Sequence, residues 1–185
     1  MTMDLTAFDS EELLHLAINM AGQQRYADAL TCLKQAAKMD PSNGAAVYFI
    51  GIIYAQINLY ERALATMQRA VQIDPSLHIA HFQIGLLNFT SNRVAQAIEA
   101  WKPLDKLGKL EPLYLFKMGL EALAAENFDR CREYLTEGIA LNGVNEPLND
   151  DMRKILQRIQ NLENAEDSDS DMGDLDPNAP GTVRA

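Results

Sequence analysis

Apolar residues recur along this chain at three- and four-residue steps, in runs of about a dozen positions. Short polar or turn-forming stretches separate the runs, among them "GQQR" at 22–25, "QINL" at 56–59 and "TSNR" at 90–93. Steps of that size place side chains on one face of a helix, whereas a strand would alternate every second residue. Strand alternation is absent, so the pattern predicts a succession of helices and an all-α fold.

The helices come in a register. Ala17, Gly51, Gly85 and Gly119 stand 34 positions apart, and each follows an apolar residue: Leu16, Ile50, Ile84 and Met118. The same step links Tyr26, Tyr60, Val94 and Phe128, and then Ala29, Ala63, Ala97 and Cys131. In the second half of each unit it links Leu33, Met67, Trp101 and Leu135, and also Ala36, Ala70, Leu104 and Gly138. A fixed period of this length marks a repeat architecture, in which each unit buries its apolar face against its neighbours. The small columns let two helix backbones approach closely. "KMDPSN" and "QIDPSL" end the first two units, with Pro41 and Pro75 where one helix stops and the next begins. The third and fourth units have Lys109 and Gly143 there instead.

A unit of this length with a Leu-Gly-type pair, an aromatic, an Ala, a bulky apolar residue, an Ala and a Pro resembles the tetratricopeptide repeat (TPR). The second unit, "GAAVYFIGIIYAQINLYERALATMQRAVQIDPSL", carries the pattern best through Ile50-Gly51, Tyr54, Tyr60, Ala63, Met67, Ala70 and Pro75. The resemblance covers residues 10–143. It implies a right-handed superhelical α-solenoid of antiparallel helix pairs, with units at about 10–43, 44–77, 78–111 and 112–145. The first unit departs from the pattern at Ala17 and Met20, the third at Asn88 and Pro103, and the fourth at Cys131 and Gly138. Pro103 removes a backbone donor and clashes with the preceding turn, so the helix after Trp101 is expected to be kinked or short and "LDKLGKLEP" irregular.

Residues 1–9 read as a lead-in, with Asp9 and Glu12 spaced as a capping box. Residues 146–163 place Met152, Ile155, Leu156, Ile159 and Leu162 on one face, as a capping helix for an otherwise open end. Residues 164–185 are rich in Asp and poor in large apolar groups, which predicts an acidic disordered tail. Read from Asp167, a calcium loop fails at its sixth and twelfth places, Met172 and Asn178. Ser168 and Ser170 sit among acids, as acceptors of an acid-directed kinase would; a plain solvated tail is the reading preferred.

The composition narrows the chemistry. The 185 residues are 48% hydrophobic, enough for a core, and the net charge of -10 argues against a phosphate-binding surface. Nucleic acid is not expected as a partner. The first twenty residues lack a secretory signal and no segment is apolar enough to span a membrane, so a cytoplasmic protein without membrane insertion is expected. Cys32 and Cys131 are far apart and outside any C-x-x-C, which suggests reduced thiols and no zinc site. His78 and His81 share a helical face without a carboxylate or Cys partner and read as surface histidines. No phosphate-cradling Gly loop and no nucleophile motif is present. No enzyme activity, cofactor or metal is expected.

The resemblance implies that the first helices of the units line the concave face. Those helices carry a second apolar stripe, which repeats every 34 residues: Leu14, Ile18 and Ala21; Tyr48, Ile52 and Ala55; Phe82, Leu86 and Phe89; Phe116, Leu120 and Leu123. It is either core beneath the second helices or the C-terminal helix, or an open groove. Taken as a groove, it predicts partner contacts from Leu14, Ile18, Tyr48, Ile52, Phe82, Leu86, Phe89, Phe116, Leu120 and Leu123, with Tyr48, Phe82 and Phe116 as anchors. Many TPR co-chaperones grip an acidic peptide terminus with Lys, Asn and Arg on these helices. The corresponding places hold Leu14, Ile18, Phe49, Ile79 and Gln83, so that clamp is missing.

Two functions follow. One is an interaction module, adaptor or chaperone-like, that binds an apolar peptide or amphipathic helix of another protein. Small acidic TPR chaperones of bacterial secretion systems are an analogy, through "LLHLAINMAGQQRYADAL". The other is an assembly subunit that self-associates, for instance as a homodimer, through the same surface.

Overall fold

A computed structural model describes residues 7–171, with side chains through Asn164. Eight helices pair in sequence: α1 (Ser10–Gly22) with α2 (Tyr26–Met39), α3 (Gly44–Gln56) with α4 (Tyr60–Ile73), α5 (His78–Thr90) with α6 (Val94–Trp101), and α7 (Pro112–Ala124) with α8 (Phe128–Leu141). A long α9 (Glu146–Asp171) follows. No strand occurs among the described residues. Asp9 opens α1 as expected: its side chain accepts from the Glu12 N–H at 2.8 Å while the Glu12 carboxylate accepts from the Asp9 N–H at 2.9 Å.

Every pair turns in the same way. Gln24, Asn58, Asn92 and Glu126 all have φ near 60°, between 57° and 61°, the left-handed region. The next residue in each case returns its N–H to the carbonyl five back: Arg25 to Met20, Leu59 to Tyr54, Arg93 to Asn88 and Asn127 to Ala122, at 2.8–2.9 Å. This is the hydrogen-bond pattern that closes a helix in a Schellman motif. The four turns obey the 34-residue step although only two of their left-handed residues are Asn, and none is Gly.

Within a pair, the small column sets the approach. A side chain on Gly51 would come within 2.6 Å of the Met67 side chain, and one on Gly85 would overlap the Trp101 ring. In the third pair α6 stops at Trp101 and a 3-10 turn takes over at Lys102–Lys106, with Pro103 in its first turn where a missing N–H costs least.

α9 begins where the sequence places a cap, and Leu148, Met152 and Ile159 bury against the Phe116, Leu120 and Leu135 layer. Arg132 of α8 holds it with two parallel bonds to Glu163, both 2.7 Å. The helix runs past residue 163, the end expected from the sequence, to Asp171. Its apolar face ends at Leu162, but no Gly or Pro follows until Gly173 and Pro177, so nothing in the backbone chemistry stops it earlier. The remainder of the acidic tail, and the side chains of Ser168 and Ser170, lie outside the described residues.

Candidate functional site: the inner helix layer

The first helices of neighbouring pairs approach one another, α1 with α3 and α5 with α7, while α2 meets α3 and α4 meets α5 across each joint. The resemblance to the tetratricopeptide repeat implies that α1, α3, α5 and α7 form the inner layer. Their faces show where the expected stripe lies.

The stripe divides into a floor and a lining. Tyr48 is 7% exposed, and Phe82, Phe116 and Leu120 are fully buried. These four are core, which corrects the expectation that Tyr48, Phe82 and Phe116 anchor a ligand and that Leu120 contacts one. The cause is packing across the pair. The Phe82 ring stacks on Trp101 with centroids 6.1 Å apart and meets Phe116 at 6.2 Å. The Phe116 ring fills the space that Gly138 leaves empty on α8. Leu120 closes beneath the layer that α9 completes. Tyr48 meets Phe49 edge-on at 5.3 Å, and burial pushes its phenol well above the ordinary range.

The lining keeps some of its surface in solvent. Ile18 is 40% exposed, and Leu14, Ile52, Leu86, Phe89 and Leu123 are half-buried. Ala21 and Ala55 lie beside them, also half-buried, as do Phe49, Ile79 and Leu113, which the expected list of contacts omits. The column Ile18, Ile52, Leu86, Leu120 passes from exposed to fully buried along the chain. Along this column the surface is open over the first three pairs and closed at the fourth, where Leu113 and Leu123 beside it stay half-buried.

One polar group in this layer has no precedent in the apolar pattern. Lys117 is buried on α7, bonded to Asp105 of the 3-10 turn and 3.5 Å from Glu121. Burial pulls its ammonium down, but the two carboxylates outweigh that and hold it above its usual value. It ties the irregular segment after Trp101 to the start of the fourth pair. A lone Lys in a helix otherwise apolar around that face was the available signal, and its partner, twelve residues away across a turn, was not.

Other candidate chemistry is quiet. Cys32 and Cys131 are both buried and unpaired, and burial raises both thiols, Cys131 to about 11. The His81 Nε2–H donates to the Pro75 carbonyl, 3.2 Å away, and burial lowers its pKa. Among the described residues no three His, Cys, Asp or Glu gather as metal ligands, and no helix is long and apolar enough to cross a membrane.

Residues 16–78 match the family model described as tetratricopeptide repeat. No curated protein matches the chain. Among solved structures, the chain is similar to a thermophilic TPR protein of Thermus thermophilus, at 18% identity and a TM-score of 0.64, over 81% of this chain and 80% of that one. It is also similar to MamA, at 20% identity and 0.58 over 74% and 80%. A MamA fragment from Desulfovibrio magneticus aligns at 15% and 0.57, over 85% and 97%. At such identities the likeness concerns the fold, and it agrees with the family match over residues 16–78 and with the 34-residue columns: the chain contains tetratricopeptide repeats within an all-α solenoid fold.

Proposed function

We propose that this protein is a non-enzymatic interaction module, adaptor or chaperone-like in role, that seats an apolar or amphipathic segment of another protein on the inner face of α1, α3 and α5. The observation that carries the reading is the half-open lining, Ile18, Ile52, Leu86 and Phe89 with Ala21 and Ala55, laid over a fully packed aromatic floor. The floor fixes the position of the lining, and the lining retains apolar surface that a partner can remove from water. Each Å² so removed is worth about 25 cal/mol. Small residues between the larger ones leave room for the knobs of a partner helix, the groove mode of peptide recognition.

Neither thiol is a thiolate near neutral pH, and His81 is spent on the Pro75 carbonyl. These groups suit a binding role without chemistry on the partner. Two buried free thiols suit a reducing compartment, the cytoplasm.

The reading is tested by photo-crosslinking in the native cell with benzoylphenylalanine placed at Ile52 or, on the outer layer, at Arg69. One discrete adduct from the inner position, suppressed when Ile18 and Leu86 are changed to Ser, is the expected result. Adducts of equal yield from both positions, or an inner adduct indifferent to those changes, would remove the inner face as the binding surface.

A further inference from the structure

The inner layer holds almost none of the positive charge of the chain. Of the 16 Lys and Arg residues, a single one, Lys117, lies on α1, α3, α5 or α7. It is buried and already committed to Asp105 and Glu121. The same four helices carry Glu11, Glu12 and Glu121. The turns that border the layer add two cations, and each is paired: Arg25 with Asp28 at 2.8 Å and Arg93 with Glu61 at 3.1 Å. Lys34, Lys38, Arg62 and Arg69 all stand exposed on second helices. Lys106 and Lys109 lie in the linker before α7, at the end where the lining closes.

Such a segregation has a consequence for what the lining accepts. An apolar segment flanked by acids would bring its carboxylates toward Glu11 with no free cation on the inner helices to meet them. A segment flanked by Lys or Arg meets Glu11 and the net charge of -10 carried by the chain, which speeds encounter. We propose that the occupant of the inner face is a basic amphipathic helix, apolar on the side that meets Ile18, Ile52, Leu86 and Phe89, with Lys or Arg along its flanks. This rests on the inner face being the binding surface and adds the charge of the partner to it.

The test uses three fluorescein-labelled synthetic helices of about 18 residues, five turns. Two share one Leu/Ala apolar face and differ in flanks, Lys in one and Glu in the other; the third keeps the Lys flanks with Ser across the apolar face. Fluorescence anisotropy with the full chain at low salt should show the Lys-flanked apolar helix binding at least about tenfold tighter than the Glu-flanked one, since like charges at an interface are strongly disfavoured. The Ser-faced helix should bind at least about tenfold more weakly than the apolar one, the loss expected on removing one or two buried side chains. Glu11→Gln should weaken the Lys-flanked helix by about two- to fivefold, the range of an exposed ion pair, while Glu137→Gln on the outer layer leaves it unchanged. Equal affinity for Lys and Glu flanks overturns the charge inference and leaves the groove reading standing. Failure of both apolar helices to bind overturns the groove reading itself. Equal binding of the Ser-faced helix reduces the interaction to general charge attraction and overturns the proposal.

Discussion

The Trp101 indole N–H donates to the main-chain carbonyl of Phe82 at 3.0 Å, while the two rings stack in the core between α5 and α6. The bond joins the halves of the third pair at the point where α6 ends and Pro103 prevents further helix. The stacked, fully buried ring makes Phe82 a structural residue. Phe82→Ala should lower the unfolding free energy by about 3–5 kcal/mol, the cost of emptying a large aromatic site in a closed core. Urea unfolding followed through Trp101, the single tryptophan, reads it directly. A loss below about 1 kcal/mol would show the ring to be dispensable.

Glu126 sits in left-handed geometry that only Gly adopts freely and Asn tolerates. Glu126→Gly should therefore raise stability by about 0.5–1 kcal/mol, because the strain of the side chain exceeds the entropy that Gly costs in the unfolded chain. Asn58→Ala, at the equivalent turn of the second pair, should lower it by a similar amount. Paired thermal melts decide, and a fall with Glu126→Gly would contradict the assigned turn.

Lys117 has its folded pKa raised above its ordinary value of 10.5 by Asp105 and Glu121 against the pull of burial. The stability it contributes is full below the unfolded pKa and is lost as pH rises through the folded one. Wild type should lose stability above about pH 10.4 more steeply than Lys117→Met, which has no proton to lose there. At neutral pH Asp105→Ala, which strips a partner from a buried charge, should be destabilising. Denaturation midpoints across the alkaline range check the first claim, and parallel curves for the two proteins would refute it.

Glu163 fixes α9 through its paired bonds to Arg132, which is about a third exposed. Glu163→Ala should be mildly destabilising and speed amide exchange in α9 ahead of α1–α4. Uniform acceleration across the chain would mean that α9 does not open by itself.

The architecture was readable because it repeats. A column such as Gly51, Gly85 and Gly119 appears only if one close helix contact recurs, and each of these glycines does lie against a second-helix side chain. The inner face was less readable, since a helix that is apolar almost all round does not say which apolar residue is floor and which is lining. Phe82 and Ile52 look alike in sequence, separated only by one helical turn within their units. Two signals pointed inward: Trp101 opposite Gly85, and Gly138 where its column otherwise holds Ala or Leu, a cavity that the Phe116 ring fills. The Lys117–Asp105 pair and the run of α9 to Asp171 depend on the irregular segment after Trp101 and on the absence of a stop signal. A repeat pattern contains neither.

The most direct test of the inner face is the joint change of thermal midpoint and helix-peptide affinity in the double variant Ile18→Ser, Ile52→Ser, measured against Phe82→Ala. With lining and floor assigned as above, the double variant should lose binding of the Lys-flanked apolar helix by about 10- to 100-fold, as expected for about 1.5–3 kcal/mol of apolar contact. Its midpoint should fall by no more than about 6 °C. Full affinity in the double variant, whatever its midpoint, would contradict the assignment of the inner face as the binding surface.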